Sequence, residues 1–253
     1  MASEFEGPRT AIVTGGAKRI GAALSRALAA DGWHVLIHCN RSAAEAESLA
    51  TELGSASVVR ADLGEPEAAA TVMAALDGLP PPRLLVNNAS RFVHDDPAGF
   101  GVESWNAHLD VNLRAPALLS QAFAARAGAG PGLIVNLLDA KLAAPNPDFF
   151  SYTISKFGLA ALTELTARAF APALRVCGIA PSVTLVSGPQ SRDNFEAVHG
   201  LNALGRGVEV ADIVAALRFI IAAPSLTGQI VLLDSGQRFL RLPRDVQFLE
   251  SPA

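Results

Sequence analysis

The sequence predicts one α/β domain, a doubly wound parallel sheet of about seven strands with helices on both faces. Three observations predict it. Short β-branched runs alternate with longer Ala- and Leu-rich segments of helical spacing. The strand runs are apolar along nearly their whole length, the pattern of strands buried on both sides. No linker, internal repeat or low-complexity stretch divides the 253 residues, so a single domain over 1–253 is expected.

Taken in order, strands are expected at Thr10 to Thr14, Val35 to His38, Ser57 to Ala61, Arg83 to Asn87, Gly132 to Leu137, Leu174 to Ile179 and Gln229 to Leu233. Helices are expected between them at Ile20 to Ala30, Ala43 to Leu53, Glu65 to Leu76, Val102 to Arg126, Tyr152 to Ala171 and Val210 to Ala222. The first strand, helix and second strand make a βαβ unit. The sites of such sheets gather at the carboxyl ends of the strands, so the residues placed there carry the functional reading.

The first strand runs into Thr14-Gly15-Gly16-Ala17-Lys18-Arg19-Ile20-Gly21. Glycines here let backbone N–H groups approach a pyrophosphate at the following helix N-terminus; an ordinary tight turn is the alternative. The second strand ends at Asn40-Arg41-Ser42, where an NAD enzyme would carry an acid for the ribose hydroxyl. A guanidinium and a hydroxyl suit a ribose 2′-phosphate instead, which points to NADP, although Ser42 could equally cap the next helix. Asp62-Leu63 could frame an adenine, or Asp62 could cap a helix. Asn88-Ala89-Ser90 ends the fourth strand. Asn112 stands inside a predicted helix, where Asn is a poor helix former, so its amide is expected in a hydrogen-bond network. Asp139 ends the fifth strand and would face Tyr152; its alternative is a plain turn residue.

Tyr152 and Lys156 lie one turn apart on one helix face. A cation there favours phenolate, so Lys156 is expected to pull Tyr152 below its reference pKa of about 10, towards the range of general acids. Their helix is apolar nearly all round, as a helix buried against both the sheet and a partner subunit would be. From Ser182 to Gly207 the chain turns polar, with Phe195 and His199 on a possible short helix, and a movable substrate lid is expected near 182–207.

Composition excludes other classes. A net charge of −4 gives no basic patch for nucleic acid or an anionic membrane. Cys39 and Cys177 sit in apolar strand-like runs without metal-ligand spacing, so neither a disulfide nor a metal is expected. The apolar stretch Ile213 to Leu226 is broken by Arg218 and Pro224, and a cytoplasmic protein is expected.

With TGGAKRIG, NNAS, Asn112, Tyr152 to Lys156 and Ala180-Pro181 in this order, the chain resembles the short-chain dehydrogenase/reductase family over essentially its whole length. The resemblance implies a Rossmann-like NADP-dependent oxidoreductase, commonly a tetramer. It implies that Tyr152 donates the proton, that Lys156 lowers the pKa of Tyr152 and binds the nicotinamide ribose, and that Asn112 relays protons through water. The departures are informative. Arg19 replaces the middle glycine of the turn, Asp139 replaces the usual Ser, NNAG has become NNAS, and Phe92 follows.

Together with Asn40-Arg41-Ser42, these departures resemble the pteridine reductase and dihydromonapterin reductase branch. That likeness implies Arg19 reaching cofactor and pterin, Asp139 working with Tyr152, and Phe92 sandwiching the pterin ring against nicotinamide. Ser90 matches that branch as well. The chain departs from the family at Pro181-Ser182, where Pro-Gly is general, at Asp234-Ser235-Gly236, and in a tail from Arg238 to Ala253. The expected reaction is NADPH-dependent reduction of a ring C=N bond in a pterin. A ketone reductase acting on a 3-oxoacyl thioester is the alternative, and a dinucleotide-binding sensor without turnover is a third reading.

Overall fold

Alternation along the first strand already shows how the molecule is layered. In the computed structural model, which describes residues 4–128, 130–188 and 190–249, strand β1 (Thr10–Val13) is buried at every position. Ala11 and Val13 face one hydrophobic core and Ile12 the other, as the two-residue period of a strand requires. The remaining strands are β2 (His34–Cys39), β3 (Ala56–Arg60), β4 (Pro82–Asn87), β5 (Gly132–Leu137), β6 (Leu174–Pro181) and β7 (Ile230–Leu233). All pair in parallel, in the order β3-β2-β1-β4-β5-β6-β7.

Helices α1 (Arg19–Ala30), α2 (Ala43–Leu53) and α8 (Val210–Ala222) cover one face, burying Leu24, Leu28, Leu49, Ile213 and Leu217 against β1, β2 and β4. Helices α3 (Ala68–Ala74), α5 (Ala115–Ala127) and α6 (Phe150–Phe170) cover the other, with Val72, Leu119, Phe123 and Ala167 in its core. Helix α4 (Val102–Leu109) packs against α6, and α7 (Arg192–His199) against the 3-10 turn Val246–Phe248. Among the described residues no helix is long and apolar enough to cross a membrane. Cys39 and Cys177 are buried and unpaired.

Two expected helices differ. The segment from Val102 to Arg126 is interrupted by a π-helical turn at Asp110–Arg114. Pro116 has no N–H to give to the carbonyl of Asn112 four residues back, so an unbroken α-helix cannot form there and the chain widens. The third helix is shorter than Glu65 to Leu76: tight turns closed by the Asp62 and Glu65 carbonyls precede it, and after Ala74 the chain tightens to three-residue bonds from the Leu76 and Asp77 amides to the Met73 and Ala74 carbonyls.

Two buried asparagines position the sheet against α6. Asn87 of β4 and Asn136 of β5 are register partners, and Asn87 donates to Asn136 Oδ1 at 2.8 Å. Asn136 donates in turn to Thr163 Oγ1 of α6 at 2.9 Å. Since the order reverses between β1 and β4, the loops leaving those strands diverge and open a crevice at their carboxyl ends.

Candidate active site

The crevice begins where the turn after β1 is stitched to the end of β4. Thr14 Oγ1 accepts from the amides of Asn88 and Ala89 at 2.9 and 3.0 Å, and Asn88 Nδ2 donates to the Thr14 and Gly15 carbonyls. Close approach explains the glycines: a Cβ on Gly21 would stand 2.1 Å from the Gly15 carbonyl oxygen, and Gly15 itself has φ +60°. Arg19 also has positive φ, at 53°, a conformation that a non-glycine residue adopts only against strain. It is the position at which Arg replaced glycine in the sequence pattern.

At the end of β5 the chain presents Asp139, whose Oδ1 accepts the Lys141 amide at 2.8 Å. Its Oδ2 accepts the Tyr152 hydroxyl at 2.7 Å. Lys156, one turn along α6, donates to the Leu137 carbonyl at 2.7 Å, with Nζ 5.5 Å from the Tyr152 ring centre. Desolvation raises the pKa of Asp139, and Lys156 is lowered to about 8 by burial against the opposing pull of Asp139.

The expected lowering of Tyr152 is corrected here. Burial first and the Asp139 charge second push its pKa well above 10. Burial disfavours the phenolate, the carboxylate that accepts from the phenol adds to that, and the ammonium is turned to a backbone carbonyl. Tyr152 therefore holds its proton, with Asp139 as acceptor.

Asn112 is a network residue, as its place in the helix suggested. Its Oδ1 accepts from the Arg91 amide at 2.8 Å and from Ser90 Oγ at 3.3 Å. Its Nδ2 donates to the Arg91 carbonyl and to Ser155 Oγ, both at 3.0 Å. With both protons and both lone-pair sites engaged, the amide ties the loop after β4 to α6.

Asp139, Tyr152 and Lys156 line one cavity of about 480 Å³, within the range of small-molecule and cofactor sites. Gly15, Arg19, Ile20, Gly21, Asn88, Ala89, Ser90, Phe92, Asp139, Tyr152, Lys156, Pro181 and Ser182 all line it. Outside it stay Asn40, Arg41, Ser42, Asp62 and Leu63, which follow β2 and β3 on the side of the sheet beyond β1, and the buried Asn112. Arg41 is exposed and makes no hydrogen bond or ion pair with any described residue. Ser42 precedes α2 without a side-chain capping bond, so that alternative role is not taken up. Phe92 stacks on Phe149 at 4.0 Å between ring centres and meets Tyr152 edge-on at 4.7 Å.

Part of the wall was not found from the sequence. Gln237, Arg238, Leu242, Arg244, Asp245, Val246 and Gln247, from the tail, line the same cavity. The tail is tied down by Arg244, which donates to both Asp148 oxygens at 3.0 and 2.8 Å, and by the Asp245 amide on Asp148 at 2.7 Å. A nearly buried ion pair joins Lys141 Nζ to Asp245 at 2.9 Å. Residues 250–253 of the tail lie outside the described residues. From the segment 182–207, Val183, Thr184, Leu185, Ser187 and Gln190 reach the cavity, followed by α7 with Phe195 stacked on His199 at 4.5 Å. No local pattern marked the tail, since its partners lie about a hundred residues away.

Comparisons with known proteins agree with this layout. A family model described as short chain dehydrogenase matches residues 9–196. The putative ketoacyl reductase 2 of the granaticin polyketide synthase of Streptomyces violaceoruber is 31% identical over 249 residues, covering 95% of this chain and 100% of that protein. L-xylulose reductase of Mesocricetus auratus is 31% identical, covering 90% and 96%. Among solved structures, FolM alternative dihydrofolate reductase 1 of Brucella canis, complexed with NADP, superposes with a TM-score of 0.88 at 38% identity, covering 92% of this chain and 94% of that one. The Brucella suis protein of the same name, also in complex with NADP, gives 0.87 at 39% identity, covering 92% and 95%. The chain is thus an oxidoreductase that belongs to the short-chain dehydrogenase family.

Proposed function

We propose that the protein is an NADPH-dependent reductase of a dihydropterin-type substrate, reducing a ring C=N bond. The observation that carries this reading is the partly buried Asp139 carboxylate, hydrogen-bonded to Tyr152 and sharing the cavity with the Phe92 ring. A ketone has no donor for the acceptor sites this carboxylate keeps beyond its bonds to Tyr152 and Lys141, and leaving them unmet when the site closes is costly. A pterin offers amino and ring N–H groups and a flat face for Phe92. The likeness to the two NADP-bound FolM structures points the same way.

The residues fit the cofactor on two counts. The Gly15 and Gly21 approach leaves room where a pyrophosphate would meet the start of α1, and the unpaired Arg41 is free for a 2′-phosphate. NADPH, when bound, supplies the hydride. Gly15, Arg19, Ile20, Gly21, Asn88, Ala89, Ser90, Pro181 and Ser182 would line its path, while Asn40, Arg41, Ser42, Asp62 and Leu63 would hold its adenosine end. Lys156 would turn from the Leu137 carbonyl to the ribose, and Tyr152 would give its phenolic proton to the ring nitrogen of the C=N bond as the neighbouring carbon takes the hydride. Asp139 holds the pterin donors and restores the hydroxyl's orientation. The segment 182–207 and the tail close the substrate end as a lid.

In the same reading the enzyme is a cytoplasmic homotetramer. Two buried free cysteines support a reducing compartment. The apolar outer stripe of α6, Ile154, Phe157 and Leu165, supports a partner subunit. The ketoacyl reductase relative favours a second reading, reduction of a 3-oxoacyl thioester.

NADPH oxidation across dihydropterins, dihydrofolate, quinones and 3-oxoacyl thioesters separates the two. Dihydropterins should be turned over fastest, and Tyr152→Phe should lower that rate by about 10² to 10⁴ while still binding NADPH. Fast thioester turnover with every dihydropterin untouched would replace the first reading by the second.

A further inference from the structure

Beneath the site lies a buried polar trio that the chemistry above does not use. His108 of α4 is fully buried, and its Nε2 accepts the amide of Val93 at 3.2 Å. A neutral imidazole has one N–H, so Nδ1 carries the proton and donates to Ser151 Oγ at 2.6 Å. The Ser151 hydroxyl donates in turn to Asp95 Oδ2. The other Asp95 oxygen accepts the Ser151 amide at 3.0 Å, the Asp95 carbonyl accepts the Phe150 amide at 3.2 Å, and Ser104 Oγ donates to Oδ2 at 3.1 Å. Asp95 thereby caps α6 from a distant loop, satisfying amides of the first helical turn.

Sequence neighbours give the trio its meaning. Val93 follows Phe92 and Ser151 precedes Tyr152. One imidazole therefore holds, by its two nitrogens, the residue next to the stacking ring and the residue next to the phenol. The two rings touch edge to face across it, Phe92 on Tyr152 at 4.7 Å and His108 on Tyr152 at 6.3 Å. Neutrality is required, because a protonated Nε2 would point a proton at the Val93 N–H; burial lowers the His108 pKa and keeps it neutral.

We propose that His108, acting through Ser151 and through the Val93 amide, is a positioning residue that sets the proton-donating phenol and the substrate-stacking ring relative to each other. The proposal rests on the roles given above to Tyr152 and Phe92.

The two arms can be cut separately. An Asn carboxamide reaches about as far as Nδ1 and a Gln carboxamide about as far as Nε2, so His108→Asn keeps the Ser151 arm and His108→Gln keeps the Val93 arm. His108→Gln should lower kcat by about tenfold to a hundredfold, the scale of a misplaced catalytic group, at a KM within about twofold. Ser151→Ala, which cuts the same arm in its middle, should reproduce that loss and serves if the Gln variant does not fold. His108→Asn should raise the substrate KM and leave kcat within about twofold. NADPH affinity should stay unchanged in all three.

A second readout needs no substrate. Tyr152 is the chain's single tyrosine, so the resonance of an isotope-labelled tyrosine ring carbon reports this phenol alone. It is faced by Asp139, Lys156 and His108, with Asp245 farther off. In His108→Gln and Ser151→Ala the phenol should ionise at lower pH than in wild type, because its hold on Asp139 is loosened; in His108→Asn it should not. If kcat, KM and melting temperature fall together in all variants, or the phenol titrates alike in all, His108 is merely structural and the proposal is overturned. If wild type reduces no pterin but the split in phenol titration holds, the substrate reading fails and the positioning role stands.

Discussion

Arg19 is the residue whose conformation and chemistry disagree most. A side chain at φ +53° costs about 1 to 3 kcal/mol, while glycine there would cost about 0.5 to 1 kcal/mol in extra unfolded-chain freedom. Arg19→Gly should therefore leave stability unchanged or raise it by up to about 2 kcal/mol, and denaturant unfolding will measure this. The same variant should weaken NADPH or pterin binding, since the guanidinium lining the cavity is lost. A clear loss of stability would mean that Arg19 is held by packing and not for the site. The sequence showed Arg19, Asp139, Tyr152 and Lys156 as a set because motif spacing is local. The expected sign for Tyr152 was wrong because the burial that dominates it, and the hydroxyl-to-Asp139 contact at 2.7 Å that adds to it, arise only where the end of β5 meets the start of α6. His108, Asp95 and Ser151 were missed for the same reason: a polar residue on a half-apolar helix carries no mark of the partner it will meet.

Among the elements, the tail shows how a segment with only two short 3-10 turns, Gln237–Leu240 and Val246–Phe248, becomes part of a site. It is held by Arg244 and the Asp245 amide on Asp148, by the Lys141 pair, and by Phe248 packed on Phe149 and edge-on to His94. Burial alone would raise the Asp148 carboxyl, but Arg244 and the Asp245 amide outweigh it and hold it below its ordinary value. A lowered carboxyl pKa contributes stability above the unfolded value, lost as pH falls through the folded one, so the tail should stay docked at neutral pH and loosen only in acid below the usual carboxylate range. Asp148→Asn should make the tail open about fivefold more often, taking about 1 kcal/mol because Arg244 is half exposed. Faster trypsin cleavage at Arg241 and Arg244, with a raised substrate KM, is the expected result. Strand and helix positions were legible to within a few residues from periodicity. The π-helical turn was not, although Pro116 was in plain view, because proline at a first helical turn and proline that widens a helix look alike in a sequence.

At the scale of the whole molecule, the parallel sheet was the most legible feature, because strands buried on both faces leave an apolar signature that few other folds share. What the outside of α6 meets was less so. Ile154, Phe157 and Leu165 are 38%, 41% and 65% exposed in the single chain, and a helix expected to be buried on two sides is buried on one. Light scattering should find a tetramer at micromolar concentration, and Leu165→Arg should yield smaller species by placing an unpaired charge in the contact. A stable wild-type monomer would show that the stripe is left in water. The strand order has a further consequence, in time. The first four strands form one contiguous block, β3-β2-β1-β4, with β4 at its growing edge, and β5, β6 and β7 are each laid on the edge left by the strand before. During synthesis the half built from β1 to β4 can therefore close before Tyr152 has been polymerised, and the half from β5 to β7 grows on it as on a template. Between the ends of β4 and β5 lie about fifty residues, roughly 3 to 10 s of translation, and for that interval the outer edge of β4 stands unpaired, the moment at which the nascent chain is most open to aggregation.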